Sequence, residues 1–268
     1  MLQRCLQLLE PYYFDQIDAT MDFLRNEFQQ KGINLNEQQA GRFSDYYHLL
    51  VEWNKKINLT RIIEEKDVVT RHFLDSLEAL HVINKYLEPP YRVIDIGSGA
   101  GFPGIPIAIM ENNAHVHLVE ATRKKATFLD HIVHELNMTN VSVHNTRAEI
   151  LGHDPSFRET FDVAIARGVS HIFASLEYLL PFCRKGGLVT ILTKPRLGQT
   201  IGHINEVMES LGGSIVEYRE SKEPDQPVRR GVVIGKKQRS THADYPRRPG
   251  AIYKKPLQPK AIKTKGYQ

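Results

Sequence analysis

A glycine-rich turn follows the first strongly apolar strand candidate of this chain. The sequence over 95–104 reads Asp-Ile-Gly-Ser-Gly-Ala-Gly-Phe-Pro-Gly. Gly97, Gly99 and Gly101 alternate with other residues, and glycine permits positive φ angles and close approach of the backbone to a ligand because it lacks a Cβ atom. Pro103 suits the start of a helix. Such a turn presents free backbone N–H groups at a helix N-terminus, which predicts a nucleotide-like cofactor here.

The end of the next strand candidate narrows the choice of cofactor. Glu120 follows the alternating segment 115–119, where an acid typically accepts hydrogen bonds from ribose hydroxyls. NAD and S-adenosylmethionine (SAM) enzymes share this arrangement, and the glycines satisfy G-x-G-x-x-G. With Asp95 they also satisfy D-x-G-x-G-x-G, which is typical of SAM-dependent methyltransferases. Roughly 90 residues precede the turn, whereas a dinucleotide-binding fold more often begins at the strand before its glycine turn. SAM is therefore the favoured cofactor, and NAD is the alternative.

The elements that position this turn can be read from hydrophobic periodicity. Helical spacing predicts three helices: one over 15–31, a second that begins after an N-cap at Asn36, and a third over 64–82. Pro89-Pro90 then marks a boundary. Strands then alternate with helices, which predicts a parallel, doubly wound sheet, and the last two strands lack an intervening helix, which predicts an antiparallel edge hairpin. The predicted strands are 91–96, 115–120, 141–145, 161–166, 187–193, 214–220 and 230–236, with helices at 122–136, 169–180 and 199–211.

This order of elements resembles the class I SAM-dependent methyltransferase fold, a Rossmann-like seven-stranded α/β sheet, with an N-terminal helical extension. We predict a helical cap over 1–89, a SAM-binding core over 90–237 and a basic tail over 238–268.

Ligands of doubly wound folds bind beyond the carboxyl ends of the strands. Ala148 and Glu149 follow the third strand, where SAM enzymes usually hold the adenine. Arg167 follows the fourth strand and Lys194 the fifth, where an acceptor would enter, so both are candidates for positioning it. Either could instead lie on the surface or pair with an acid such as Asp162. No residue is predicted with certainty to be catalytic.

The acceptor decides which groups a methyltransferase needs. Transfer is an in-line displacement in which alignment does much of the work. An adenine amine usually calls for an Asn/Asp-Pro-Pro-aromatic motif, but 166–168 reads Ala-Arg-Gly. A pyrimidine C5 needs a cysteine nucleophile, and Cys183, which we place at the end of a helix, shows no partner. Guanine N7 has a free lone pair, and arginine binds guanine O6 well, so N7 fits while other acceptors stay open.

Composition indicates an ordinary globular protein with an uneven charge distribution. The 268 residues are 41% hydrophobic with a net charge of +4, and no apolar run approaches a membrane span. Two cysteines predict a reducing, cytoplasmic location. Residues 236–268 hold ten basic residues and one acid, which suggests either a polyanion partner or a solvated tail. His131 and His134 lack the order of a zinc motif, so no metal is expected.

Several segments together resemble one family. Trp53-Asn54 with Asn58-Leu59-Thr60, then Arg71-His72-Phe73-Leu74-Asp75-Ser76-Leu77 and the glycine motif, look like the bacterial 16S ribosomal RNA guanine-N7 methyltransferases, also called glucose-inhibited division protein B. Glu120-Ala121, Lys124-Lys125, Arg147-Ala148-Glu149 and Ala166-Arg167 continue the match, which ends with Tyr245-Pro246-Arg247-Arg248-Pro249-Gly250 and Lys255-Pro256-Leu257. The resemblance covers about 36–257, and Gly168 stands where the family more often has alanine.

The resemblance implies SAM as methyl donor and N7 of one guanine in the decoding-region loop of 16S rRNA as acceptor, on naked rRNA or the small ribosomal subunit. Another RNA, a protein or a small molecule is the alternative acceptor. We expect a monomer without a membrane or metal partner. The predicted cofactor site comprises Asp95, Gly97, Gly99, Gly101, Phe102, Glu120, Ala121, Thr122, Ala148, Glu149 and Arg167. The predicted RNA contacts are Arg71, Arg167, Lys194, Arg196, Arg247 and Arg248, although Arg71 could instead pair with Asp75.

Overall fold

The computed structural model describes residues 19–168, 171–194, 197–198, 200–220 and 230–259. Its strands are β1 (Tyr91–Ile96), β2 (Ala114–Val119), β3 (Val141–His144), β4 (Phe161–Arg167), β5 (Cys183–Thr193), β6 (Gly213–Glu220) and β7 (Gly231–Lys237). They form one sheet in the order β3-β2-β1-β4-β5-β7-β6. β7 runs antiparallel to both of its neighbours, β5 and β6, whereas the pairs among β1 to β5 are parallel. The predicted seven-stranded class I fold and its edge hairpin are confirmed.

Helices precede the sheet and connect its strands. They are α1 (19–29), α2 (Glu37–Asn54), α3 (Glu65–Val68), α4 (Leu74–Tyr86), α5 (Gly104–Met110), α6 (Arg123–Glu135), α7 (Ala148–Leu151), α8 (Ile172–Leu179), α9 (Ile201–Ser210) and α10 (Ala251–Lys254), with a π-helical turn at Val69–Phe73 between α3 and α4. Asn36 is the N-cap that the sequence predicts, and it forms a capping box with Gln39.

The helix predicted over 64–82 differs most from the structure. It is divided by the π-helical turn and continues to Tyr86. Periodicity did not reveal the turn, because a single π turn shifts the register of a helix without breaking it. Cys183, expected at the end of a helix, instead begins β5 and is buried, and burial raises the pKa of its thiol to about 12. A packing role therefore suits this cysteine.

The N-terminal helices share a hydrophobic core with one face of the sheet. Phe43 packs against Phe28 and Phe73, with ring centroids 5.0 and 4.9 Å away. Tyr46 stacks at 5.2 Å on Phe102, which lies in the glycine turn. The helical region thus packs directly on the turn that it was predicted to cap.

A second core lies on the opposite face of the sheet, where α8 and α9 pack. Tyr245 and Leu257 from the C-terminal segment 238–259 join it, and Ile252 of α10 has no exposed surface. The described part of the predicted basic tail is thus folded onto the core.

Within 19–168, 171–194, 197–198, 200–220 and 230–259, no helix is long and apolar enough to span a bilayer. The same ranges contain no group of three or more His, Cys, Asp or Glu residues suited to hold a metal ion.

Candidate functional site

The strand order reverses between β1 and β4, and the glycine turn lies at this switch point. Gly97, Gly99 and Gly101 adopt φ angles of 72°, 60° and 97°, a region that residues with a side chain rarely occupy. A Cβ atom on Gly101 would lie 2.6 Å from the Tyr46 hydroxyl oxygen. The turn therefore needs glycine for its backbone angles and, at Gly101, also for the close packing of α2.

The N–H groups of the turn are mostly engaged within the protein. Those of Gly97 and Ser98 donate to the carbonyl of Val119 at 2.8 and 3.2 Å. The Gly99 N–H donates to Glu120 Oε2 at 3.0 Å. Further N–H donors to partners within the protein are Gly101, Phe102 and Gly104. A pyrophosphate needs such donors to be free, so the sequence-based expectation of free N–H groups at this turn is wrong.

Asp95 closes the position where a dinucleotide phosphate would bind. Its Oδ2 accepts the Gly104 N–H at 3.0 Å, at the start of α5. The side chain is completely buried, and burial raises its pKa to about 7. A buried carboxyl group at this helix N-terminus replaces the phosphate that an NAD enzyme would hold there. The geometry therefore excludes the NAD alternative and leaves a cofactor without phosphate.

Glu120 is fixed at both carboxylate oxygens. Oε1 accepts the Thr122 N–H at 2.7 Å and Oε2 accepts the Gly99 N–H. Asn145 holds the Glu120 carbonyl through its side-chain amide at 2.9 Å. The carboxylate is buried against the turn yet lines the cavity described below. Its remaining lone pairs can accept hydrogen bonds from the two ribose hydroxyls of SAM.

One cavity of about 470 Å³ lies over these residues, within the size range of cofactor pockets. Eight predicted cofactor residues line it, namely Gly97, Gly99, Phe102, Glu120, Ala121, Ala148, Glu149 and Arg167. The other three do not line it: Asp95 is buried under the turn and Gly101 packs against Tyr46, whereas Thr122 is exposed and touches the lining through its N–H, which donates to Glu120. A carboxylate for ribose, a second acid at Glu149 and an apolar floor suit SAM, whose sulfonium is cationic and which carries no phosphate.

Thr60 and His72 bring a polar pair to the cavity from the N-terminal region. Both line it, and Thr60 Oγ1 lies 3.0 Å from His72 Nε2. His72 Nδ1 lies 2.9 Å from the Arg71 carbonyl oxygen, which can only accept, so Nδ1 carries the proton and the Thr60 hydroxyl donates to Nε2. Burial, followed by the charge of Arg167, lowers the pKa of His72 to about 3. The imidazole is therefore neutral at physiological pH.

Arg167 lies beside this pair, with its guanidinium carbon 4.7 Å from the centre of the Phe102 ring. It donates to Asp75 Oδ2 at 3.4 Å and to the Arg71 carbonyl at 3.3 Å. Arg230 contacts the same two acceptors, with 2.7 Å to the Arg71 carbonyl and a closer ion pair to Asp75. Because Arg230 makes the shorter bonds, Arg167 is the more loosely held arginine, and it is the one that lines the cavity.

The remaining predicted RNA contacts are dispersed. The side chain of Arg71 pairs with Asp67 at 3.4 Å and not with Asp75. Lys194 and Arg248 are exposed, whereas Arg247 donates to the buried carboxylate of Glu177. Arg196 lies outside the described residues. Asp162, considered as a partner for Arg167 or Lys194, instead pairs with Arg184 at 2.6 Å.

Sequence reasoning did not assign several residues to this cavity. They are Leu59, Thr60, His72, Ile96, Ser98, Ala100, Val119, Lys125, Thr146, Arg147, Gly168 and Tyr178. Thr60 and His72 belong to the two motifs most specific for the family, so that signal could have found them. Tyr178, in contrast, lies in an ordinary amphipathic helix and has no local signal.

A seven-stranded sheet of this order, with an acid-flanked cavity at its switch point and a glycine turn whose N–H groups are mostly engaged within the protein, defines a class I SAM-dependent methyltransferase. The profile of the family described as rRNA small subunit methyltransferase G matches residues 39–228, and the chain belongs to that family. It is 34% identical over 248 residues to Ribosomal RNA small subunit methyltransferase G of Clostridium novyi, covering 92% of this chain and 98% of that protein. The protein of the same name from Roseiflexus castenholzii is 40% identical over 226 residues, covering 84% and 95%.

Proposed function

We propose that this protein transfers the methyl group of SAM to N7 of a guanine in the decoding-region loop of 16S rRNA. Its relatives are named as methyltransferases of small-subunit ribosomal RNA, which supports the substrate class. When bound, SAM supplies an electrophilic methyl group. The observation that carries the choice of N7 is the composition of the cavity wall formed by Thr60, His72 and Arg167.

That wall offers no effective general base. The imidazole of His72 is unprotonated, but its pKa near 3 makes it a weak proton acceptor and its Nε2 already accepts the Thr60 hydroxyl. The other groups are a hydroxyl and a guanidinium. Among the described residues that line the cavity, the acids are Glu120 and Glu149, which belong to the loops after β2 and β3. An exocyclic amine must lose a proton during methylation, whereas guanine N7 attacks with its free lone pair. The wall therefore fits N7.

Arg167 suits the recognition of guanine at this edge. An arginine that binds a guanine in duplex DNA contacts O6 and N7 together, but N7 must stay free for the methyl group. The loosely held guanidinium of Arg167 can donate to O6 alone, and adenine would present an amine there and be rejected. The neutral His72 adds no second positive charge beside Arg167, which limits the repulsion of the cationic methylated guanine at this wall.

Other parts of the sequence-based interpretation stay predictions. These are the divisions at 1–89, 90–237 and 238–268, the monomeric state, the cytoplasmic location, and the choice between naked rRNA and the assembled subunit as substrate.

Methyl transfer can be tested with labelled SAM. Purified protein is incubated with unmethylated small-subunit particles and, separately, with deproteinised rRNA, and the label is mapped by nuclease digestion and mass spectrometry. We expect 7-methylguanosine at a single decoding-region position. Label on a different atom or base, or no transfer to either substrate by a protein that still binds SAM, would contradict the proposal.

A matched pair of variants tests the part assigned to Arg167. Arg167→Lys keeps the charge but loses the planar fork, and we expect kcat/KM for the RNA to fall by on the order of 10- to 100-fold. Arg184→Lys is the control, because Arg184 is 46% exposed and pairs with Asp162 away from the cavity. Equal activity of the two variants would remove Arg167 from acceptor recognition.

A further inference from the structure

Arg247 belongs to the basic C-terminal segment, yet its polar groups are turned into the protein. Its backbone N–H donates to Glu177 Oε1 at 2.9 Å. Its Nε donates to the same oxygen at 2.8 Å and its Nη2 to Glu177 Oε2 at 2.6 Å. Nη2 also reaches the Lys255 carbonyl at 2.8 Å. Such a two-pronged arginine–carboxylate pair is both strong and geometrically specific.

Glu177 depends on this pairing. Its side chain has no exposed surface, and a buried carboxylate without a partner would be strongly destabilising. The ion pair with Glu177 and its hydrogen bonds raise the pKa of the Arg247 guanidinium above its ordinary range. The pair therefore fixes the last turn of α8 against the C-terminal segment.

The next residue of α8 lines the cofactor cavity. Tyr178 follows Glu177, and successive residues of a helix point about 100° apart. Glu177 is thus held by the C-terminal segment while Tyr178 forms part of the cavity wall. Burial, followed by the charge of Glu149, raises the pKa of Tyr178 to about 12. A rotation of this last turn would displace Tyr178 from the wall.

The same segment also holds α7, which carries Ala148 and Glu149 of the cavity wall. Pro246 packs so closely on Gly152 that a Cβ atom there would lie 2.8 Å from Pro246 Cγ. His153 Nε2 lies 2.8 Å from the Pro246 carbonyl oxygen. Pro246 thus contacts α7 and Arg247 contacts α8, the two short helices that form this side of the cavity.

We infer that Arg247 is a positioning residue of the SAM site, which sets the wall formed by Tyr178 through its pair with Glu177, and that it is not a contact for RNA phosphates. The inference rests on the proposed function only in taking SAM as the ligand. It assigns different roles to the two adjacent arginines: Arg247 positions the cavity wall, whereas Arg248 is exposed and stays available to a polyanion.

The two neighbouring arginines supply a matched comparison. SAM binding to Arg247→Gln and Arg248→Gln is measured by calorimetry on the full chain without RNA. We expect the SAM Kd to rise about tenfold in Arg247→Gln, as for a displaced wall residue, and to stay unchanged in Arg248→Gln. An unchanged Kd in a folded Arg247→Gln protein would overturn the inference. A loss of thermal stability alone would also count against it, because a purely structural pair lowers Tm without changing the affinity.

RNA affinity gives an independent readout. We expect the dependence of log K on log salt to keep its slope in Arg247→Gln, whereas the loss of a phosphate contact reduces the slope by about 0.7 to 0.9. A reduced slope in Arg247→Gln would overturn the inference in favour of RNA contact.

Two further variants keep the inference testable if Arg247→Gln does not fold. Arg247→Lys retains the charge and one donor group, and we expect a smaller rise in the SAM Kd than in Tyr178→Ala, which removes the wall side chain itself. Unchanged SAM affinity in Tyr178→Ala would overturn the inference, because Tyr178 would then not contribute to SAM binding. Absence of SAM binding in the unaltered protein would instead defeat the proposed function, so the two failures are distinguishable.

Discussion

The glycine turn at 97–104 and the C-terminal segment 238–259 both carry conspicuous sequence signals, but only the first signal has a local cause. Three glycines of the turn have positive φ angles that their own residue type permits, so spacing alone predicted the conformation. The C-terminal segment is rich in basic residues, and charge suggested a solvated or RNA-gripping tail. In the structure its Arg247 and Pro246 instead contact the interior.

The difference shows which kinds of sequence signal determine structure. Backbone geometry depends on the residue itself, whereas the fate of a charge depends on its partner. The partner of Arg247 is Glu177, 70 residues earlier in the chain. Nothing in the local sequence of either residue identifies the other. Substitutions in the glycine turn therefore test backbone packing, and substitutions in the C-terminal segment test long-range pairing.

The largest effect is expected at Gly104, where the turn enters α5. A Cβ atom there would lie 2.3 Å from Leu118 Cδ2 and 2.9 Å from Asp95 Oδ2. Because this region is fully buried, we expect Gly104→Ala to lower the free energy of unfolding by about 3 kcal/mol or more. Urea denaturation followed by circular dichroism measures the change.

Gly168 provides the control for that experiment. It has a φ of +61°, but no atom lies within 4 Å of a Cβ built on it, so Gly168→Ala should cost only about 1 kcal/mol of backbone strain. Because Gly104 has no positive φ angle, equal losses in the two variants would mean that the surrounding side chains relax around the added methyl group and that packing does not limit this position.

The next effect tests whether the C-terminal segment is part of the fold. Arg158 donates to the carbonyls of Tyr245, Thr241 and His242 at 2.7 to 3.1 Å, and also to Gly152. We expect Arg158→Met to lower the free energy of unfolding by about 2 kcal/mol, because four charged hydrogen bonds to backbone carbonyls, three of them partly buried, are lost. Limited proteolysis should then cut the segment 238–259 faster.

The exposed Arg248→Met is the control for Arg158→Met and should stay within about 0.5 kcal/mol of the unaltered protein. If Arg158→Met were equally neutral, the segment would contribute little to the fold, and its comparison with the glycine turn would no longer hold.

The sequence predicted all seven strands and the longer helices, because these follow from local periodicity, but it did not predict the short helices α7 and α10 or the π-helical turn. It predicted the half of the cavity built from strand ends, such as Gly97 and Glu120, since topology brings those ends together. It missed the arginine cluster around Asp75, since Arg230 and Arg167 meet that carboxylate only through tertiary contact. The partners and roles of charged residues were therefore harder to predict than the positions of the strands.

The pair of Thr60 and His72 combines a recognisable motif with a property that depends on tertiary contact. The motif marks His72, but its low pKa arises from burial first and then from Arg167, Arg230 and Arg71 nearby. An unfolded chain binds a proton at His72 near its ordinary value of 6.5, while the folded chain resists protonation until about pH 3. The contribution of His72 to the free energy of unfolding must therefore fall as pH decreases below about 7, opposite in sign to that of Asp95, whose pKa burial raises to about 7.

The contribution of His72 is about 1 kcal/mol between pH 7 and pH 5.5, the smallest of these effects. Urea denaturation at several pH values, compared between the unaltered protein and His72→Gln, isolates it from other histidines such as His117, whose pKa burial lowers to about 4. We expect the variant to lose less stability on acidification. Parallel pH profiles would mean that His72 is accessible to protons in the folded chain, and the base-free wall that favours guanine N7 would lose its support.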